Sequence, residues 1–243
     1  MPIIEEEIDL AVADGTMAVV TFRDMDSVPR PAIVLVCDAN GLLPATLDIA
    51  RGLAAEGFVV ASPDVYHHVG RMQTTDPSLP PADKMWIREG MTNEGHLLDM
   101  NALAAHLQAQ DYVRDGRVGV TGFCLGGRIA FLAASRGEGF GPSVLFYPTR
   151  LHEPDPANAE TAPPLMFAGG VTSPMLIFFP ELDAQNPPDN IAAINQALRA
   201  APTESVVVPN AQHGFAQPAS AGYHAIEGPI AWQRCVDFFV EHL

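Results

Sequence analysis

Basic side chains are scarce in this chain. Thirteen lysines and arginines face 29 aspartates and glutamates, a formal charge of −16 over 243 residues and a pI near 4.6. Such a balance repels phosphate backbones and anionic lipid, which argues against nucleic-acid or membrane-surface partners. Cysteine is equally sparse. Cys37, Cys124 and Cys235 form neither a disulfide framework nor a CxxC pair, a usage that suits a reducing cytoplasm. Apolar runs long enough to span a bilayer are missing, as are repeats and low-complexity tracts. The first ten residues, "MPIIEEEIDL", have no basic segment followed by an apolar one, so an export signal is not expected and a cytoplasmic location is. With 48% apolar and only 17% charged residues, the chain is globular. Its length suits one α/β domain spanning residues 1–243.

Strand-like and helix-like segments alternate through most of the length. "EIDLAV" and "TMAVVTF", separated by "ADG", predict an antiparallel hairpin. "PAIVLVCD" and "FVVASPDVY" are apolar almost throughout, as strands buried on both faces of a parallel sheet are. "TLDIARGLAAEG" between them has helical spacing at Leu47, Ala50, Leu53 and Ala54 and a glycine stop. Tyr66 to Asp83 is proline-rich and predicts a long loop, of the kind that is usually functional. "NEGHLLDMNALAAHLQAQ" predicts a helix, "GRVGVTGF" a strand, "GGRIAFLAASRG" a helix and "SVLFYP" a strand. "SPMLIFFP", "PPDNIAAINQALRAA", "ESVVVP" and "IAWQRCVDFFVEHL" continue the alternation. The pattern predicts an α/β fold: a mostly parallel, doubly wound sheet with helices on both faces and an antiparallel N-terminal start.

"Gly122-Phe123-Cys124-Leu125-Gly126" places a cysteine where a strand turns into a helix. A nucleophile elbow has this context: a tight turn lifts one side chain above the sheet, and flanking glycines avoid crowding neighbouring backbone. The helix N-terminus favours a thiolate. The pentapeptide alone is equally compatible with a small buried cysteine among packing glycines. Two later segments shift that balance. "MLIFFPELDAQNP" leaves Asp183 just past a strand end, with Glu181 the next candidate acid, and "ESVVVPNAQHGF" leaves His213 in a loop. Nucleophile, acid, histidine is the α/β-hydrolase order. In it His213 accepts the thiol proton and later activates water, while Asp183 fixes the imidazole tautomer and stabilises the imidazolium.

On these segments the chain resembles the dienelactone hydrolase family, carboxymethylenebutenolidase-like α/β-hydrolases that use cysteine in place of serine. The similarity runs nearly end to end, through "GLAAEGFVVASPDVY", "VGVTGFCLGGRIAF", "FFPELDAQNPP", "AQHGFA", "AGYHA" and "AWQRCVDFF". In the acid loop the family usually has glycine where Pro180 stands. The resemblance implies catalytic Cys124, Asp183 and His213, an oxyanion hole from the N–H groups of Ala39 and Leu125, and no cofactor. It also implies that Asp38 is the counterpart of a glutamate, in a Q-E-x-x-G motif, that holds the resting thiol and swings away when substrate binds. Here the motif reads "Cys37-Asp38-Ala39-Asn40-Gly41", and the carboxylate is one methylene shorter. Asp38 can equally be read as a turn residue before Asn-Gly.

Family members that cleave dienelactone clamp its carboxylate with two arginines. The corresponding positions are Gln217 and a residue near Leu79, and neither side chain can replace a guanidinium fork. Arg71 and Arg88 are the remaining candidates in the loop, and without them neutral substrates are expected to be preferred. Tyr66, Trp86, Phe123, Phe215 and Gln217 are candidate pocket residues. Adjacent His67 and His68 do not present both rings to one ion without further ligands, so no metal site is expected. Cys37 and Cys235 are expected in the core. The expected function is cofactor-free hydrolysis of a small-molecule ester or lactone, by a monomer or homodimer, through a Cys124 thioester. The alternative is a non-hydrolytic binding or thiol-redox protein on the same fold.

Overall fold

Eight strands join in one sheet whose spatial order, with strands counted along the chain, is 1-2-4-3-5-6-7-8. The computed structural model describes residues 2–26, 28–88, 90–154 and 161–243. The strands are β1 (Ile3–Val12), β2 (Gly15–Asp24), β3 (Ala32–Val36), β4 (Val59–Pro63), β5 (Val118–Phe123), β6 (Phe140–Phe146), β7 (Met175–Pro180) and β8 (Thr203–Val208). Helices α1 (Pro44–Ala55), α2 (Asn93–Gln108), α3 (Leu125–Arg136), α4 (Pro188–Ala197) and α5 (Glu227–His242) alternate with them after the opening hairpin. As the sequence predicts, β1 pairs with β2 and β2 with β4 in antiparallel fashion, and all later pairings are parallel.

The apolar runs explain this order. Every residue of β3 and β5 is buried, so these strands occupy the middle of the sheet, covered on both faces. β1 carries Glu5, Glu6 and Glu7 and takes an edge, where charge discourages pairing with another chain. The outer end of α2 is closed by Thr92, whose hydroxyl accepts from the Gly95 N–H at 2.9 Å.

Three local features depart from the sequence reading. The proline-rich loop ends in a 3-10 helix, Pro81–Arg88, with Lys84 and Ile87 buried and Trp86 turned to solvent. A second 3-10 helix, Pro164–Gly170, was not anticipated. It docks against α3 because Gly170 approaches the Ser135 carbonyl where a Cβ would stand 2.0 Å away. β6 starts at Phe140, ahead of Pro142. The proline is tolerated because the β5–β6 register shifts between Val118 and Val120, at an irregularity that spares a ladder hydrogen bond. Among the described residues no helix is long and apolar enough to cross a membrane.

Candidate active site

Cys124 lies between β5 and α3 with φ 55° and ψ −114°, in the left-handed region that an L-residue adopts only when its surroundings impose it. The surroundings do. The Cys124 N–H donates to the Phe146 carbonyl at 3.0 Å, and its own carbonyl accepts from Thr149 at 3.1 Å and from Arg128 at 3.2 Å. A Cβ on Gly122 would meet the Gly126 carbonyl oxygen at 2.4 Å, and one on Gly126 would meet the Val36 carbonyl oxygen at 2.4 Å. Both glycines are therefore required by close backbone approach. The thiol is partly exposed, whereas Cys37 and Cys235 are buried. Burial pushes both of those thiols up from their ordinary range.

Asp183 and His213 come from the loops after β7 and β8. His213 Nδ1 lies 2.9 Å from Asp183 Oδ2. The same carboxylate accepts from the Gln185 N–H at 2.9 Å and from Asn186 Nδ2 at 3.1 Å. Burial alone pushes the Asp183 carboxyl up, but His213 and these two donors outweigh it and hold it below the usual range. For His213, burial is the largest influence and disfavours the charged ring. The hydrogen bond to Asp183 and the neighbouring Cys124 sulfur overcome it and raise the imidazole to about 10. Nε2 of His213 is buried and makes no hydrogen bond. The Cys124 sulfur is the neighbour that acts on the ring from this side, by a hydrogen-bonding and a charge interaction that both favour the imidazolium. Glu181 is turned elsewhere, accepting from the Asn210 N–H at 2.8 Å.

Cys124 and His213 open onto a cavity of about 690 Å³ that is also lined by Asp38, Ala39, Leu125 and Gln217. Among the described residues, neither the Ala39 N–H nor the Leu125 N–H has a partner within the protein. Two free donors at the rim of a thiol site are what an oxyanion hole needs. The Ala39 carbonyl is held from behind by the Tyr66 hydroxyl at 3.1 Å.

Asp38 differs from the gating expectation. Its Oδ1 accepts from the Asn40 N–H at 2.8 Å and from Asn40 Nδ2 at 3.1 Å, and Oδ2 accepts from Gln217 Nε2 at 3.0 Å. Among the described residues no hydrogen bond links it to Cys124. Three donors already occupy the short carboxylate.

The cavity is cationic in an acidic protein. Among the described residues, Lys84, Arg88, Arg128 and Arg150 line it, and Asp38 is the one acidic side chain that does. Arg128 bonds the Asn93 side chain and the carbonyls of Arg150, Glu153 and Pro154, and Arg150 pairs with Glu153. Arg88 is freer: it reaches the Tyr66 hydroxyl, and among the described residues its buried Nε has no partner. Arg71, in the loop after β4, is turned to the edge strand β1 and pairs there with Glu7 and Asp9. Leu79 is exposed and outside the cavity wall.

Four of the aromatic pocket candidates belong elsewhere. Tyr66, Phe123 and Phe215 are fully buried. Phe123 packs against Phe146 and Tyr147 with tilted rings and edge-on against Trp232, because its strand position points it into the layer beneath the site. Phe215 packs edge-on against Tyr147. Trp86 is 48% exposed on the outer face of its 3-10 helix. Of that group Gln217 alone lines the cavity. The rings of His67 and His68 stand at 89°, 6.0 Å apart. His67 Nε2 pairs with Asp99 at 3.0 Å, and with Asp14 these form a group whose ligand atoms all lie within 4.8 Å. A buried ion pair accounts for the His67–Asp99 contact. The sequence reading missed Tyr147, whose ring lies 4.8 Å from that of His213 and whose φ of 41° is again left-handed. Its place directly after β6 was the one available signal.

The dienelactone hydrolase family model matches residues 17–243. A carboxymethylenebutenolidase of Rhodococcus opacus is 31% identical over 221 residues, covering 87% of this chain and 81% of that protein. A solved structure from Klebsiella pneumoniae, provisionally named a dienelactone hydrolase, superimposes with a TM-score of 0.89 at 26% identity and covers 99% of this chain and 100% of its own. A dienelactone hydrolase-like promiscuous phosphotriesterase from metagenomic libraries, 23% identical with a TM-score of 0.83, shares the fold over 100% of this chain and 99% of its own.

Proposed function

This chain belongs to the dienelactone hydrolase family of α/β-hydrolases and is a hydrolase, and we propose that it cleaves a small ester or lactone through a thioester on Cys124, without a cofactor. The observation that carries this reading is the convergence of the strained Cys124 elbow and the Asp183–His213 pair at one cavity.

In the proposed cycle the Cys124 sulfur adds to the substrate carbonyl carbon with the proton it has given up held on His213 Nε2. The negative oxygen is received by the N–H groups of Ala39 and Leu125. Collapse breaks the C–O bond, and the departing oxygen takes the proton from His213. Water then attacks the thioester, giving its proton to His213, and expulsion of the sulfur regenerates the thiol and releases the acid. Asp183 keeps Nδ1–H directed at itself, so that Nε2 is the atom that exchanges protons. A thiol-redox role finds less support, because neither Cys37 nor Cys235 lines the cavity.

Incubation with an activated ester, rapid acid quench and peptide mapping test the reading. The acyl mass is expected on the Cys124 peptide alone, and Cys124→Ala should abolish turnover. An adduct on Cys37, or hydrolysis retained by Cys124→Ala, would overturn it.

A further inference from the structure

The hydrogen bonds around Asp38 form a chain whose direction can be assigned from end to end. The Ala216 N–H donates to the Tyr147 hydroxyl, and that hydroxyl donates to Gln217 Oε1 at 3.0 Å. Tyr147 is fully buried, and burial, reinforced by Asp38, Cys124 and Asp183, keeps the phenol from ionising. Among the described residues Gln217 Oε1 is the acceptor within reach of that hydroxyl, so its proton goes to Gln217. With Oε1 committed as an acceptor, the amide of Gln217 has a fixed sense and must turn Nε2 to Asp38.

The other side of the carboxylate is equally determined. Asn40 Oδ1 accepts from Lys84 Nζ at 3.1 Å and from Thr75 Oγ1 at 3.2 Å. That leaves Asn40 Nδ2 as the donor to Asp38 Oδ1. Lys84 is the single lysine of the chain, is buried, and bonds otherwise to the Pro77 carbonyl. Its charge therefore reaches Asp38 through one intervening amide. The turn closed by these bonds carries the Ala39 N–H.

We propose that Gln217, oriented by Tyr147, is a positioning residue that pins Asp38 to the turn bearing Ala39 and keeps it off Cys124, so that the thiol proton has His213 as its acceptor before any substrate arrives. The inference rests on the Cys124–His213–Asp183 reading above. It makes the resting thiol permanently available, with no carboxylate to be displaced. Among the described residues, the charged and titratable groups facing the thiol pocket are Asp38 after β3, Lys84 and Arg88 on the 3-10 helix, Arg128 on α3, Tyr147 and Arg150 after β6, and His213 after β8. Asp38 is the one whose position Gln217 controls.

The test is the rate of Cys124 alkylation by iodoacetamide, an uncharged reagent, followed by peptide mapping from pH 5.5 to 9. In Gln217→Leu the released carboxylate can turn to the thiol, and a like charge beside a developing thiolate slows alkylation about tenfold at pH 7 and displaces the profile to higher pH. Gln217→Leu combined with Asp38→Asn should recover most of the loss, which a general distortion of the loop would not. Tyr147→Phe, which removes only the hydroxyl that orients the amide, should move the rate in the same direction and serves where Gln217→Leu fails to fold. An unchanged rate and profile in both variants, or a double variant as slow as the single, would overturn the proposal. Absence of labelling at Cys124 in the wild-type protein would instead overturn the functional reading, and this inference with it.

Discussion

Gly126 packs so tightly beneath the end of β3 that a methyl group on it would stand 2.3 Å from the Cys37 carbonyl oxygen. That contact sets the distance between the first turn of α3, with the Leu125 N–H, and the loop carrying the Ala39 N–H. Gly126→Ala is expected to force the two apart and to lower the melting temperature by about 5–10 °C, the effect of about 2–3 kcal/mol of overpacking. Gly52 of α1 has nothing within 4 Å of where its Cβ would be. Gly52→Ala should raise the melting temperature by about 1–4 °C through the unfolded state. Calorimetry of both variants checks the pair, and a Gly126→Ala melt equal to wild type would show that β3 can yield.

Asp183→Asn should leave the fold in place and lower kcat by about 10³–10⁴-fold, because an amide stabilises the wrong imidazole tautomer. Gln185 and Asn186 keep their places in the loop, so the melting curve should move little compared with turnover. Steady-state hydrolysis of an activated ester, beside a melt, makes the measurement. Undiminished kcat would assign the acid elsewhere.

Stability should follow the His213 titration. Its pKa is raised in the folded chain from 6.5 to about 10, so the interaction it makes with Asp183 is complete below about pH 6.5 and is lost as pH climbs toward 10. Asp183 is shifted the other way, so its contribution is present above its ordinary value of 3.8 and fails as pH falls below that. The gap in melting temperature between wild type and His213→Gln is therefore expected to be widest near pH 5–6.5 and to narrow steadily to pH 10. A gap that widens with pH would contradict the assigned shift.

Substrate charge is where the cavity lining argues for the opposite of the sequence-based expectation. Gln217 is consumed by Tyr147 and Asp38, and Leu79 faces solvent, yet Arg88, whose Nε has no partner among the described residues, stands in a wall with three further cations. At this range local charge outweighs a net charge that salt screens over about 10 Å. A carboxylate-bearing lactone should be turned over at least as efficiently as a neutral one of the same ring size. Arg88→Gln should cost the anion about 10–100-fold in kcat/KM, the value of a charge-assisted hydrogen bond, and the neutral lactone far less. Equal losses for both would remove Arg88 from substrate recognition.

The fold was legible because it is written in local pattern. Nearly continuous apolar runs mark β3 and β4, helical spacing marks α1, and the "ADG" break marks the β1–β2 hairpin. Positions that directly follow a strand were equally legible, and for that reason Cys124, Asp183 and His213 could be singled out before their convergence was seen. Pro142 hid the start of β6, since a proline's fit depends on a register shift in the neighbouring strand. The pocket wall was misjudged for a related reason. Tyr66, Phe123 and Phe215 are aromatic residues near the site in sequence, but strand alternation and the packing layer below turned them inward.

The sequence by itself determined the backbone elements and which residues stand at their ends, because torsional preference and hydrophobic periodicity act over a few residues. It left open what those ends would touch. Asp38 and Gln217 are 179 residues apart, and their bond exists only because β3 and the loop after β8 finish at the same edge of one sheet. The sense of each donor along Ala216, Tyr147, Gln217, Asp38 and Asn40 depends on every other member being in place. So does the gathering of Lys84, Arg88, Arg128 and Arg150 around one cavity of a chain carrying −16. Hydrogen bonds and charges act over a few ångströms of space, and only the assembled tertiary structure decides which groups come within that range.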